Sequence, residues 1–215
     1  MTTKNIDEHI SEIMEKMKGL SAKNPKYSCG AFPPKWEDPL TEEKVEEFEA
    51  QNGIRLPEDY RRFITVIAAG GTQPFYGLRS IFSESGKKRE LEPNLKTKFP
   101  FSPKNYLNIS KLSEEEYNGI FEKDNLDHIQ SGFIELCHEG CGMYSILIVN
   151  SDNEETYGTV WYYDLANDAG IFPLTNPKDG KPLSFLDWLE YYVDRTLELG
   201  DNEFFGYAAL IYCEE

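Results

Sequence analysis

Apolar residues recur at three- and four-residue steps in four stretches of the chain, which is the spacing of one face of an amphipathic helix. The predicted helices cover residues 5–20, 41–53, 57–71 and 184–200. Thr41 and Ser184 are suited to cap the second and fourth helices, because a hydroxyl oxygen accepts hydrogen bonds from free backbone amides. We expect the first helix to pack on its own domain.

Between the third and fourth helices, the pattern changes to short apolar runs separated by turn residues. Residues 75–82 are predicted as a strand, and residues 83–103, rich in Lys, Glu and Pro, as a long mobile loop. Four further strands are predicted at residues 133–137, 143–150, 156–163 and 171–174. The spacers between them favour turns, so the sequence predicts an α+β fold. Its mixed or antiparallel sheet is a meander of about five or six strands packed against helices.

Charge narrows the kind of partner. The 215 residues include 22 Lys and Arg against 38 Asp and Glu, which gives a formal net charge of −16. Nucleic-acid affinity depends on cations that displace counterions, so direct nucleic-acid binding is not expected. A basic protein partner is favoured instead.

Cysteine content and hydropathy indicate the compartment. Four cysteines are too few for a disulfide scaffold, so reduced thiols and a cytoplasmic location are expected. The N-terminal residues carry charges throughout, and apolar runs elsewhere are far shorter than the ~20 residues that span a bilayer. We therefore expect neither a signal peptide nor membrane attachment.

The ordered motifs of the chain resemble those of a known family. Residues 40–71, LTEEKVEEFEAQNGIRLPEDYRRFITVIAAGG, contain an acidic helix start, a Gly-hydrophobic-x-Leu-Pro-x-Asp-Tyr junction and a double glycine. GCGMYSILIVN at 140–150 and Tyr-Gly-Thr-Val-Trp at 157–161 look like a glycine-led strand and a Gly-x-Val-Trp strand. SFLDWLEYYVDRTLEL at 184–199 is similar to a closing helix. Together they resemble the SMI1/KNR4 family of the SUKH superfamily, bacterial immunity-protein type.

This resemblance implies an SMI1/KNR4-like domain over residues 40–200. Residues 1–39 then form an N-terminal helix and Pro-rich connector that pack on the domain, and residues 201–215 form a C-terminal tail that docks. Bacterial relatives are predominantly immunity proteins that neutralise a cognate toxin, often a nuclease or deaminase. Fungal relatives are regulators. The family has no general catalytic residues to carry over.

Cys137, His138 and Cys141 are the strongest candidates for chemistry, since two thiolates and an imidazole are zinc ligands. However, zinc motifs usually combine Cys-x-x-Cys with a second pair, and the other cysteines lie over seventy residues away. We expect structural turn residues here. No catalytic, cofactor-binding or metal-binding residue is predicted.

The first functional hypothesis is a non-catalytic immunity protein that binds and neutralises a cognate toxin domain, basic and of nuclease type, from a polymorphic or contact-dependent toxin system. Direct binding of nucleic acid by this chain is not expected. Acidic residues and one tyrosine in the hairpin loops are the predicted contact residues: Asp152, Glu154, Glu155, Tyr157, Asp164 and Asp168. A regulatory scaffold that binds a cellular protein is the alternative. A metal-dependent or thiol enzyme centred on Cys137, His138 and Cys141 is the third.

Overall fold

A computed structural model describes residues 5–23, 33–82 and 91–199, with backbone only for 21–23 and 199. Within these ranges, six α-helices and a five-stranded antiparallel sheet form an α+β arrangement. The predicted tail at 201–215, with its docking, lies outside the described residues. No helix among those described is both long and apolar enough to cross a membrane.

Three helices follow the predicted pattern. They are α1 at Ile6–Lys23, α2 at Glu42–Asn52 and α6 at Phe185–Leu199. The Thr41 side chain accepts a hydrogen bond from the Lys44 amide, and Gly53 ends α2 in the left-handed conformation with φ 65°. At the start of α6, the Asp187 amide donates to the Ser184 hydroxyl at 3.3 Å.

Helix α3, at Glu58–Val66, is shorter than the prediction, which placed its end at the double glycine. These glycines instead lie where another segment of the chain passes too close for a side chain. A Cβ atom on Gly71 would lie 2.4 Å from the Trp36 ring and 2.8 Å from the Lys35 carbonyl. The glycine therefore allows the chain before α2 to pass directly beside the chain after α3.

The sheet has the strand order β1-β5-β4-β3-β2, and all neighbours are antiparallel. The strands are β1 Leu107–Asn108, β2 Phe133–Gly140, β3 Met143–Ile148, β4 Val160–Asp164 and β5 Gly170–Pro173. Strands β2 to β5 form the predicted meander. The short β1, which the sequence analysis did not predict, pairs with β5 at one edge.

Both faces of the sheet are covered, and each has its own core. Helices α1, α2, α3 and α6 cover one face, where Ile13, Tyr60 and Phe185 belong to the larger buried cluster. The segment from residue 91 to residue 129 covers the other face, where Phe99 packs on Trp161 with ring centroids 4.9 Å apart. Because β4 lies between the two cores, all five of its residues are buried.

The predicted strand at 75–82 is wrong. Phe75 has φ 50° and Gly77 has φ 116°, so the chain turns where a strand would stay extended. Only Leu78 forms an isolated bridge, with Cys137 of β2. The Arg79 amide also donates to a β2 carbonyl, so this segment covers the outer edge of β2.

The loop predicted at 83–103 has neither helix nor strand in its described part, residues 91–103, but it is anchored to the core rather than mobile. Leu91, Leu95 and Phe99 are buried, and the Phe99 amide donates to the Asn150 carbonyl at 2.9 Å. Residues 83–90 lie outside the described residues. Two helices that the sequence analysis missed follow, α4 at Glu114–Ile120 and α5 at Lys123–Ile129.

Candidate partner-binding surface

The six predicted contact residues lie at two ends of the sheet. Four of them are in the β3–β4 connection, whereas Asp164 ends β4 and Asp168 lies in the β4–β5 turn. Strand β4 has five residues, and a strand rises ~3.3 Å per residue, so about 15 Å separates the two ends. The predicted residues therefore fall into two groups at opposite ends of β4.

The β3–β4 connection is fastened to the rest of the molecule. Both carboxylate oxygens of Asp152 accept hydrogen bonds from the Lys98 ammonium, at 2.5 and 2.6 Å. The Tyr157 hydroxyl donates to the Arg55 carbonyl at 2.9 Å, on the helix-covered side of the sheet. Partial burial raises the pKa of Tyr157. Glu154 and Glu155 are exposed.

Asp164 and Asp168 differ in their surroundings. Asp164 is buried, contrary to what a contact residue requires, and its Oδ1 accepts hydrogen bonds from the Asn167 amide at 2.8 Å and from Asn167 Nδ2 at 2.9 Å. It therefore stabilises the β4–β5 turn. Asp168 is exposed, and its Oδ1 accepts a hydrogen bond from the Tyr117 hydroxyl of α4 at 3.0 Å. This bond raises the pKa of Tyr117.

Helices α4 and α5 hold a fixed position against the second core. A capping box begins α4, in which the Ser113 hydroxyl accepts from the Glu116 amide and the Glu116 carboxylate accepts from the Ser113 amide. Ile120 and Ile129 are buried beneath the helices. The Gln130 side-chain amide donates to the Tyr163 hydroxyl at 2.8 Å, and burial raises the pKa of Tyr163 to about 12.

The outer side of these helices combines aromatic rings with carboxylates. Phe121 is 46% exposed, and its ring meets that of Tyr117 edge-to-face with centroids 5.5 Å apart. A shallow depression beside them is lined by Glu114, Glu115 and Glu122. We call the following set the α4–α5 surface: Glu114, Glu115, Tyr117, Phe121, Glu122, Asp124 and Asp168.

The charge of the α4–α5 surface is uncompensated. Residues 112–130 contain six carboxylates and one lysine. Salt bridges between described residues involve none of these acidic side chains. This negative face is therefore available to an outside cation.

Several acidic residues of the helical layer, in contrast, are ion-paired. Arg61 contacts the carboxylates of Glu42 and Glu49, the latter at 2.7 Å. Lys16 of α1 contacts Glu190 of α6 at 2.7 Å. Part of the negative charge of the helical layer is thus ion-paired, whereas the carboxylates of α4 and α5 form no salt bridge with another described residue.

Cys137, His138 and Cys141 are not brought together. Cys137 is fully buried in the first core, which raises the pKa of its thiol, whereas Cys141 is exposed in the β2–β3 turn. The His138 ring lies next to the rings of Tyr76 and Tyr144, tilted against both, with centroids 5.6 and 4.9 Å away. Within the described ranges, no three His, Cys, Asp or Glu side chains are grouped as metal ligands.

Sequence reasoning missed the α4–α5 surface, although a signal was present. Ser113 followed three residues later by Glu116 is the sequence pattern of a capping box, which predicts a helix start. Only Asp168 of the predicted contact residues belongs to this surface.

Comparison with known proteins identifies the family. The SMI1 / KNR4 family (SUKH-1) matches residues 39–195, which include α2 to α6 up to residue 195 and the whole sheet. No curated protein and no solved structure matched the chain. Because the match covers well over half of the sequence and the α+β arrangement agrees with it, the chain belongs to the SMI1 / KNR4 family (SUKH-1).

Proposed function

We propose that this chain is a non-catalytic immunity protein that binds and neutralises a basic toxin domain, of nuclease type, from a polymorphic or contact-dependent toxin system. The observation that carries the proposal is the uncompensated acidic surface on α4 and α5. Family membership supports it, because a SUKH protein is compatible with a role in protein–protein interaction. The action is binding, and no reaction is assigned to the chain.

Electrostatics gives the physical reason. A nuclease attracts a polyanionic substrate with a positive field, and an inhibitor with exposed carboxylates uses the same field. Complementary charge accelerates association by ~10 to 10³-fold over uncharged pairs. Rapid capture suits an inhibitor whose target is lethal in small amounts.

The test is co-expression of the full chain with the toxic domain encoded beside it. We expect cells to survive induction of the toxic domain only when the chain is present, and we expect the two proteins to copurify. The association rate should fall steeply as salt is raised, because screening weakens charge steering. A toxic domain from an unrelated system serves as the control for specificity.

Two results would overturn the proposal. One is the absence of a complex and of protection with the neighbouring toxic domain. The other is capture of a housekeeping protein with no toxin partner, which would favour the regulatory scaffold. Association at a rate independent of salt would refute the electrostatic argument.

A further inference from the structure

We infer that the partner docks on the α4–α5 surface, and that an arginine-rich segment of the partner covers the rings of Phe121 and Tyr117. This inference rests on the proposed function for the identity of the partner. It adds the place of contact and the chemistry of the contacting segment.

The exposed aromatic pair marks the centre of the contact. Phe121 exposes nearly half of its surface, although its neighbour Ile120 is buried in the core. Aromatic residues surrounded by polar groups are the usual anchors of protein interfaces, because they gain most when water is removed. Tyr117 contributes a second ring on the same side of α4.

The surrounding carboxylates select the occupant. Glu114 and Tyr117 are three residues apart on α4, and Phe121 follows four residues later, so they share a helical face. Glu122 adjoins Phe121 in sequence and lines the same depression as Glu114. A guanidinium group fits this arrangement, because it stacks on an aromatic ring and donates two hydrogen bonds to a carboxylate.

The β3–β4 connection is less suited to this role. Asp152 already binds Lys98, and the Tyr157 hydroxyl is already bonded to a backbone carbonyl. A partner cation there would compete with an internal lysine. On the α4–α5 surface it would meet no lysine, arginine or histidine that is already ion-paired with these carboxylates among the described residues.

The surface is also preorganised. The capping box fixes the start of α4, and the Asn125 side-chain amide donates to the Gly119 carbonyl at 2.8 Å across the α4–α5 junction. Rigid contact residues lose little conformational entropy when a partner binds. The geometry thus presents a formed surface to an incoming segment.

The test compares two triple variants of the full chain. The first combines Phe121→Ala, Glu115→Gln and Glu122→Gln, which removes one exposed ring and two charges from the α4–α5 surface. We measure binding of a synthetic oligoarginine peptide by fluorescence anisotropy, and binding of the neighbouring toxic domain by calorimetry. We expect each affinity to fall about tenfold or more, since the variant loses a ring–cation contact and two carboxylates.

The matched control combines Tyr157→Ala, Glu154→Gln and Glu155→Gln. It also removes one exposed ring and two charges, but from the β3–β4 connection. We expect affinities within about twofold of the natural chain, because these side chains are not part of the α4–α5 surface and exposed charges outside a contact contribute little. Thermal unfolding followed by circular dichroism establishes that both variants are folded.

The outcomes separate the surface from the function. If the natural chain binds the toxic domain, and both variants weaken this binding equally or neither weakens it, the assignment of the contact to the α4–α5 surface is refuted and the proposed function stands. If the natural chain fails to bind the toxic domain, the proposed function fails. Selective loss of oligoarginine binding in the first variant would then still support a cation-binding surface, and equal loss in both would overturn it.

Discussion

Replacement of Ile13 by Ala tests whether α1 belongs to the same folding unit as the sheet. Ile13 is 1% exposed and is part of the larger core, although α1 precedes the region matched by the family. The substitution removes three buried carbons at ~0.8 kcal/mol each, or about 2.4 kcal/mol of transfer free energy. The cavity left behind adds to this loss, so we expect the free energy of unfolding to fall by about 3 kcal/mol.

Urea unfolding followed by tryptophan fluorescence and by circular dichroism measures this loss. Both probes should report one coincident transition, shifted to lower urea with an unchanged slope. Glu8→Ala, at an exposed position of the same helix, is the control and should change stability by less than about 0.5 kcal/mol. A loss below about 1 kcal/mol for Ile13→Ala, or separate transitions of the two probes, would refute the assignment of α1 to the shared core.

Three other predictions concern backbone, pH and thiol chemistry. Gly170→Ala should lower the free energy of unfolding by more than about 2 kcal/mol, because its Cβ would lie 2.1 Å from a β1 carbonyl oxygen. Gly180→Ala also has a positive φ but adds its Cβ in open space, so it should lower stability by only about 1 kcal/mol; urea unfolding measures both. Burial raises the pKa of Glu190, but the lysine and histidine of α1 outweigh it, and the net pKa is lowered. The ionised Glu190 should therefore add at most about 1 kcal/mol, after solvent screening, to the free energy of unfolding above pH ~4.3, and this gain should be lost as pH falls through the folded pKa. If the difference in stability between the natural chain and Glu190→Gln grew in acid, it would contradict this. In the native chain, iodoacetamide should modify the exposed Cys141 and spare the buried Cys137 until denaturant is added, as peptide mapping would reveal; equal rates would contradict the burial.

Most of the fold could be predicted from local patterns. Helices were predicted by the caps at Thr41 and Ser184 and by the helical spacing of apolar residues. The meander was predicted by short apolar runs separated by turn residues. The strand predicted at 75–82 failed for a reason that periodicity cannot detect. Apolar residues such as Phe75 and Leu78 are buried there by turns that cover an edge, rather than by a strand.

The candidate surface was harder to predict, because charge does not reveal pairing. Asp152, Glu154 and Glu122 look alike in sequence, and only the fold shows that the first meets Lys98 across 54 residues. Asp164 followed a run of aromatic residues and was expected on the surface, yet it is buried as an acceptor within a turn. Short helices such as α4 also escape detection, since about two helical turns bury too few apolar residues to form a stripe.

The covered outer edge of β2 limits how another protein could engage this sheet. Segment 76–79 already occupies backbone groups of β2, through the bonds that Tyr76 and Arg79 donate to it. Strand addition at that border is blocked, so a partner that approaches there must be recognised by side chains of the covering layers. Substitutions of exposed side chains in those layers can change which partner protein is bound while the hydrogen bonds of the sheet stay intact.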